Sequence, residues 1–407
     1  MDIKELIRIT EPSRLTPVTH SCRTLVCGGG IAGIAAAIAA AREGADVILL
    51  EREYGLGGMA TLGLITIYLP LCDGEGRQIS FGLAEELLRL SIKHGAEDSY
   101  PAAWLDGGTH EEKVKNRFLT RFNPHFFALA AEELLLSLGV RILYGTVACG
   151  VSKSSGGAIS HVLIENKSGR SAIEVENVID CTGDADVCTL AEAPTALYAA
   201  GNGLASWYYY LEENNPELKL KMFGLADLIP DREYDRTTHY DAGKVQTIAG
   251  ARFSGVDGAE LSEAVIAAHK SMFADILQSG VVPVRTSSIP LVRMSRRLSG
   301  AVTQDIDTDR KFLADSVGMT PDWRKRGPAF EISYRTLYTE KVPNLLAAGR
   351  CISVSDELWD VTRVIPPCAV TGEAAGTAAA MTNSFAALDI TKLQTKLQSN
   401  GVKLHNG

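Results

Sequence analysis

Short, wholly apolar runs alternate with longer stretches of helical periodicity along much of this chain. Thr24-Leu-Val-Cys27 is β-favouring and ends in Gly28-Gly-Gly30, the pattern of a buried strand entering a tight turn. Residues 31–42 are Ala-rich and predict a helix that stops near Gly44. The run 46–51 (DVILLE) then predicts a second buried strand. Strand, helix and strand in this order form a β-α-β unit, with a parallel sheet as the consequence. Residues 83–93 and 124–138 carry apolar positions at helical spacing, with Pro124 suited to a first helical turn and Gly139 to an exit. After a strand at 139–144, short alternating patterns at 147–151, 159–165 and 172–178 are separated by Ser/Gly turns. They predict an antiparallel meander. Val178-Ile-Asp-Cys-Thr-Gly183 returns to the buried-strand pattern.

Residues 195–335 have a different texture. They hold an aromatic cluster at 207–210, a helical pattern near 258–278 and strand patterns at 281–295. Leu345-Leu-Ala-Ala-Gly349 resumes the earlier style, and an Ala/Gly-rich helix at 368–381 closes it. The expected organisation is a dinucleotide-binding part at 1–194, a substrate or cap domain at 195–335, and the rest of the first domain at 336–407. The chain is long enough, at 407 residues, for two or three domains.

Composition narrows the function classes. Hydrophobic residues make up 46% and charged residues 22%, an ordinary balance for a globular enzyme. A net charge of −9 argues against a nucleic-acid footprint. The N-terminus lacks the apolar core of a signal peptide, and no apolar run reaches the ~20 residues that a membrane span needs. A cytoplasmic protein without membrane or nucleic-acid partners is expected. The cysteines at 22, 27, 72, 149, 181, 188, 351 and 368 show no CxxC spacing, so no metal site is expected.

The chemistry is concentrated first at Gly28-x-Gly30-x-x-Gly33. Gly28 permits the tight turn, Gly30 leaves room for a pyrophosphate, and Gly33 lets helix and strand approach. The amides of Ile31 and Ala32 would open the helix whose positive end meets the phosphates. Glu51, ending the next strand about 20 residues on, suits the ribose hydroxyls and would repel a 2′-phosphate. A lone GxGxxG is a weak signal, but strand, helix, second strand and terminal acid agree here.

Beyond Glu51, the residues Arg52 and Gly57-Gly58-Met59-Ala60-Thr61 extend this motif. Further motifs follow in order: Gly82-Leu-Ala-Glu-Glu86, Phe122-Asn-Pro-His125, the run 178–185, and Val292-Arg-Met-Ser-Arg-Arg-Leu-Ser-Gly300. Ile332-Ser-Tyr-Arg-Thr-Leu337, the run 344–353, and Arg363 through Gly372-Glu-Ala-Ala-Gly376 complete the series. On these residues the chain resembles FAD-dependent oxidoreductases with a glutathione-reductase-type fold. Fumarate reductase and heterodisulfide reductase flavin subunits are more distant relatives.

The resemblance implies an α/β architecture: a three-layer FAD/NAD(P)-binding domain with an inserted mixed α/β substrate domain. It also implies FAD contacts at Val147, Thr182, Gly183, Asp184 and Val364. Gly349 and Arg350 would approach the pyrophosphate and ribityl chain. The segment holding Gly372 and Ala375 would begin a helix whose N-terminus faces the flavin. Its plainer reading is an Ala/Gly helix packed closely on a sheet.

Departures from relatives matter as much. The stretch 59–70 holds neither the cysteine of a redox dithiol nor the histidine of a covalent flavin link, so non-covalent FAD is expected. No second glycine fingerprint is evident, which makes NAD(P)H a doubtful donor and leaves the electron acceptor open. Asp356 stands where many relatives carry histidine.

Candidate catalytic groups are Arg296 and Arg297 (with Arg293) for an anionic substrate, Tyr334 or Asp356 as a proton acceptor, and Arg363 near the flavin. Each has a plainer reading. The arginines could form salt bridges at a domain junction, and residues 207–210 could be core rather than a substrate wall. His239 and Tyr240 are weaker candidates in a polar loop. The expected activity is hydride transfer between non-covalent FAD and a small polar substrate of the sugar, polyol or hydroxy-acid class. Reduction of an activated alkene, with Arg293, Arg296 or Arg363 as acid, is the alternative. A third reading is an electron-transfer subunit without its own substrate site. A redox partner or a homo-oligomer is compatible with all three.

Overall fold

The computed structural model describes residues 9–96, 99–223 and 252–406. His239 and Tyr240 therefore lie outside the described residues. The centre is a seven-stranded sheet. The strands Arg141–Leu143, Val47–Leu50, Val18–Cys27 and Gly169–Asp180 run parallel in that spatial order.

The strand Gly169–Asp180 was expected as two pieces and forms one. From Ala172 to Asp180 it pairs with Val18–Cys27 on one side. On the other side its first half pairs antiparallel with Ile159–Asn166, and its last three residues pair parallel with Leu345–Ala347. The hairpin from Val147–Lys153 to Ile159–Asn166 completes the expected meander.

Side-chain alternation along these strands builds three layers. Val26, Leu49, Ile179 and Leu346 face the fingerprint helix Ile31–Arg42 and the helix Ile365–Met381. Leu25, Ile48, Leu50, Val178 and Leu345 face the opposite layer, where the meander contributes Val162, Ile164 and Ile173 and a short helix contributes Val187 and Cys188. The fold class is the α/β, three-layer arrangement that the motifs implied.

The helix Ile365–Met381 corrects one expectation. It begins at Ile365, with Pro366 and Pro367 in its first turn, so Gly372 and Gly376 lie mid-helix. A Cβ on either would overlap the backbone carbonyl of Ala32 or Ala36, well inside 3.0 Å. These glycines let two helices touch backbone to backbone; they do not present a helix terminus to the flavin.

Between residues 195 and 335 lies a three-stranded antiparallel sheet of Asn215–Phe223, Ser206–Glu212 and Val282–Thr286. The helix Gly258–Ser279 packs on it through Met272. Arg296–Leu298 pairs with Thr195–Leu197, and Ser316–Pro321 pairs with Ala329–Ser333. Val317, Phe330 and Ile332 reach the main core. None of the eight cysteines is disulfide-bonded. Among the described residues no helix is long and apolar enough to cross a membrane.

Candidate active site

The parallel strands bring their carboxyl ends together, and the site is built from the turns that follow. Gly28 adopts φ +107°, and its N–H donates to the Leu50 carbonyl at 2.8 Å. A side chain there would overlap the Cys181 carbonyl of the neighbouring strand end. Gly33 faces the Gly28 carbonyl oxygen just as closely. A Cβ on Gly30, by contrast, would meet nothing within 4 Å. The turn is thus filled on two sides and open on the third, where the first-turn amides of Ile31 and Ala32 have no side-chain cap.

Glu51 is buried beneath this turn. Its carboxylate accepts from the Gly29 N–H and the Glu53 N–H, both at 2.8 Å. Burial pushes its pKa up, and the two amides oppose that.

An open cavity of about 310 Å³ runs from this turn across the sheet ends. Its first stretch is lined by Gly28, Gly30, Ile31, Ala32, Glu51, Arg52 and Val147. Gly57, at φ +99°, donates its N–H to the Gly29 carbonyl, and Gly57, Gly58, Met59 and Ala60 line the next stretch. Thr61 turns inward instead, its hydroxyl donating to the Leu56 carbonyl. Thr182, Gly183, Asp184, Gly349 and Arg350 line the opposite wall.

Asp186, also in the lining, has its pKa raised to about 6 by burial and then by the nearby Asp184 charge, with Arg296 opposing. An elongated cavity with an amide-lined, Cβ-free cradle and a ribose acceptor at one end fits FAD. The fit rests on the open face at Gly30 and the held carboxylate of Glu51.

The far end has a different chemistry. Leu62, Ile65, Ile67, Leu69, Ile289 and Pro290 make it apolar, with Trp207 and Trp323 as large walls. Arg293, Arg363 and Val364 are also in the cavity lining.

Arg363 heads a buried chain of alternating charge. Its Nε and Nη2 donate to Asp360 Oδ1 at 3.0 and 2.6 Å. Arg324 Nη1 donates to Asp360 Oδ2 at 3.2 Å, and the same guanidinium forks onto Asp322 at 2.9 and 2.8 Å. Burial lowers the Arg324 pKa, but the bonds and charges of Asp322 and Asp360 raise it by more. The Trp323 ring lies 5.9 Å from the Arg363 guanidinium, and its N–H donates to the Asp360 carbonyl.

Of the five catalytic candidates, Arg363 lies in the cavity lining, and the other four lie away from it. Arg296 donates to the Asp184 carbonyl at 2.9 Å and pairs with Asp186 at 2.8 Å. Arg297 lies over the Trp359 ring at 5.5 Å, with Asp356 at 4.0 Å. Asp356 sits in the first turn of the helix Asp356–Thr362, capped by Ser355. Tyr334 is buried in the core, its hydroxyl donating to the Phe385 carbonyl, and desolvation drives its pKa far up.

Of the cofactor candidates, Gly33, Thr61, Gly372 and Ala375 serve packing behind the lining. Lining residues that the sequence reading missed include Trp323 and Asp186. The available signal at Trp323 was the charged Asp322-Trp-Arg324 triplet that flanks it. In 206–212 the two readings divide: Trp207 lines the cavity, whereas Tyr208 turns to Asp275.

Comparisons with known proteins place this geometry. The family described as FAD dependent oxidoreductase matches residues 24–246 and 292–397. A vinyl phenol reductase of Lactiplantibacillus plantarum is 25% identical over 259 residues, 58% of this chain and 44% of its own. A 4-oxocyclohex-2-ene-1-carboxylate 5-dehydrogenase of Sinomonas cyclohexanicum is 34% identical over 84 residues, 21% of this chain and 14% of its own. The chain thus spans less than half the length of these curated relatives.

Among solved structures, a geranylgeranyl bacteriochlorophyll reductase-like protein of Thermoplasma acidophilum aligns with a TM-score of 0.43 and 13% identity. The alignment covers 94% of this chain and 82% of that one. On the family match over most of its length, this chain belongs to the FAD dependent oxidoreductases.

Proposed function

We propose that this flavoenzyme transfers a hydride between non-covalent FAD and a small, mainly apolar substrate whose double bond is activated by a carboxylate or carbonyl group. The observation that carries this reading is the far end of the cavity: Leu, Ile and Trp walls with Arg293 and Arg363 in the lining. A sugar or polyol needs many hydrogen-bonding partners, and this end offers few (the earlier expectation is set aside for that reason). The names of the two curated relatives share a carbon–carbon double bond on a six-membered-ring compound: one denotes a vinyl phenol, the other a cyclohexenone that also carries a carboxylate.

FAD held at the glycine turns would supply or accept the hydride. The chain's own residues do the rest. Arg293 and Arg363 hold the activating oxygen atoms, and the apolar walls exclude water from the reacting carbons. Arg363 is also the group placed to hold a proton at the substrate end. Its Nη2–H is already shared with Asp360, and Arg324 and Asp322 stand behind to balance charge as that proton moves.

The test is anaerobic stopped-flow in two arms: dithionite-reduced holoenzyme mixed with enoates and enones, read by flavin reoxidation, and oxidised holoenzyme mixed with sugars and hydroxy acids, read by flavin bleaching. Enoates or enones should reoxidise the flavin, and Arg363→Gln should slow this step by roughly 100-fold or more with flavin content retained. A sugar or hydroxy acid that bleaches the oxidised flavin, with no response to any enoate or enone, would overturn the reading.

A further inference from the structure

Arg350 follows the strand Leu345–Ala347 at the cofactor turn, where the sequence motif implied contact with the pyrophosphate or ribityl chain. Its guanidinium is committed elsewhere. Nη1 donates to two consecutive carbonyls, Val292 at 2.6 Å and Arg293 at 3.0 Å. Nη2 reaches Asp184 Oδ1 at 3.3 Å. The Arg350 backbone is pinned in turn, because the Trp359 indole N–H donates to its carbonyl at 2.7 Å. Gly183 is the residue that makes room, since a Cβ there would overlap the Arg350 side chain.

The segment that Arg350 grips is held from its other edge as well. Asn202 Oδ1 accepts the N–H groups of Arg293 and Met294 at 3.0 and 3.1 Å, and its Nδ2 donates to the Met294 carbonyl at 2.5 Å. Ser295 donates its hydroxyl to Asp184, and Arg296 donates to the Asp184 carbonyl. Residues 292–296 are thereby stitched to the turn at 182–186. Both the N–H and the C=O of Arg293 are fixed, and Arg293 is among the residues that line the cavity.

We infer that Arg350 is a positioning residue: it fastens the 292–296 segment to the cofactor turn and so sets where Arg293 meets the substrate. A planar fork is required, because three acceptors on two chain segments are met by one rigid group. A lysine ammonium is a compact point charge and cannot span them. Preorganisation of this kind matters because a misplacement of about 1 Å at a binding group costs on the order of 100-fold in rate. The inference rests on the proposed role of Arg293 for its consequence, but not for its geometry.

Two readouts on the FAD-loaded protein separate the two. Amide hydrogen exchange of residues 290–298 reports the fastening itself. Binding of cinnamate and of neutral cinnamamide, followed by perturbation of the flavin spectrum, reports Arg293. In Arg350→Gln, exchange in 290–298 should rise tenfold or more while residues 24–50 stay unchanged and flavin content stays within twofold. Cinnamate should bind tenfold or more weakly and cinnamamide as before. Arg350→Lys should not rescue either readout, and Asn202→Ala should reproduce both. Adding Arg293→Gln to Arg350→Gln should weaken cinnamate by less than a further twofold, because the two act on one contact.

Unchanged exchange in Arg350→Gln overturns the inference, whether or not flavin is lost. Additive losses in the double variant overturn the link to Arg293. If the wild-type protein and Arg293→Gln bind both probes alike, the anion-binding reading fails, and the exchange result alone decides whether Arg350 fastens the segment.

Discussion

Single residues divide here by whether their task is local or distant. Gly28 and Gly33 were legible because their constraint is backbone geometry within a few positions. Tyr334, Arg296, Arg297 and Asp356 were not, because a polar side chain in a family-like motif looks the same whether it faces a cleft or closes a hydrogen bond behind it.

Glu373 went unnoticed for the same reason. It is almost fully buried on the helix Ile365–Met381, where Oε2 accepts the Leu83 N–H at 2.8 Å in place of an N-cap for the helix Leu83–Ser91. Burial raises its pKa to about 8 from an ordinary 4.5. The folded state therefore holds this proton more tightly than the unfolded state does. The resulting stability is complete below pH ~4.5 and drains away as pH rises towards about 8. Glu373→Gln keeps the acceptor without the titration. Relative to wild type it should gain on the order of 2–4 kcal/mol between pH 5 and pH 9, read from urea midpoints at both pH values. Parallel pH profiles for the two proteins would contradict the assignment.

At the scale of elements, periodicity located most helices and strands but misjudged how they begin and meet. Residues 365–381 read as starting near Cys368, with the segment holding Gly372 as the beginning of a helix that faces the flavin. Sequence pattern cannot show that Gly372 and Gly376 stack over Ala32 and Ala36 of a helix more than 300 positions earlier. The contact is a property of two surfaces, and small residues at four-residue spacing permit it. Gly376→Ala forces a Cβ into the Ala36 carbonyl and should cost about 1–3 kcal/mol, seen as a lower denaturant midpoint at constant slope. Little change would mean that the helices can separate freely. The strand Gly169–Asp180 misled in another way: its two halves have different neighbours, so its pattern changes midway although the backbone does not.

At the scale of the whole molecule, the cavity draws its lining from Cys27 through Cys368. A ligand that touches most of the chain's segments stabilises all of them at once. Removing FAD should lower the melting temperature by several degrees, and re-addition should restore it in a concentration-dependent way, worth ~2.7 kcal/mol at a hundredfold excess over Kd. An apo-protein that melts where the holoprotein does would place the cofactor outside this cavity.

The amino-acid sequence by itself determined the dinucleotide turn, the acid that completes it, the α/β layering and the FAD family. The first three are written in backbone requirements and apolar spacing over a few tens of residues; the family came from the resemblance of ordered motifs along most of the chain. Only the tertiary structure decided which arginines line the cavity, that Trp207 and Trp323 belong to its walls, and that the Arg350 guanidinium joins Val292 and Arg293 to Asp184. Those choices depend on side chains that meet across long separations, 36 positions for Arg324 and Asp360 and 166 for Asp184 and Arg350. No local pattern encodes such meetings, because the geometry that allows them exists only once the sheet has assembled.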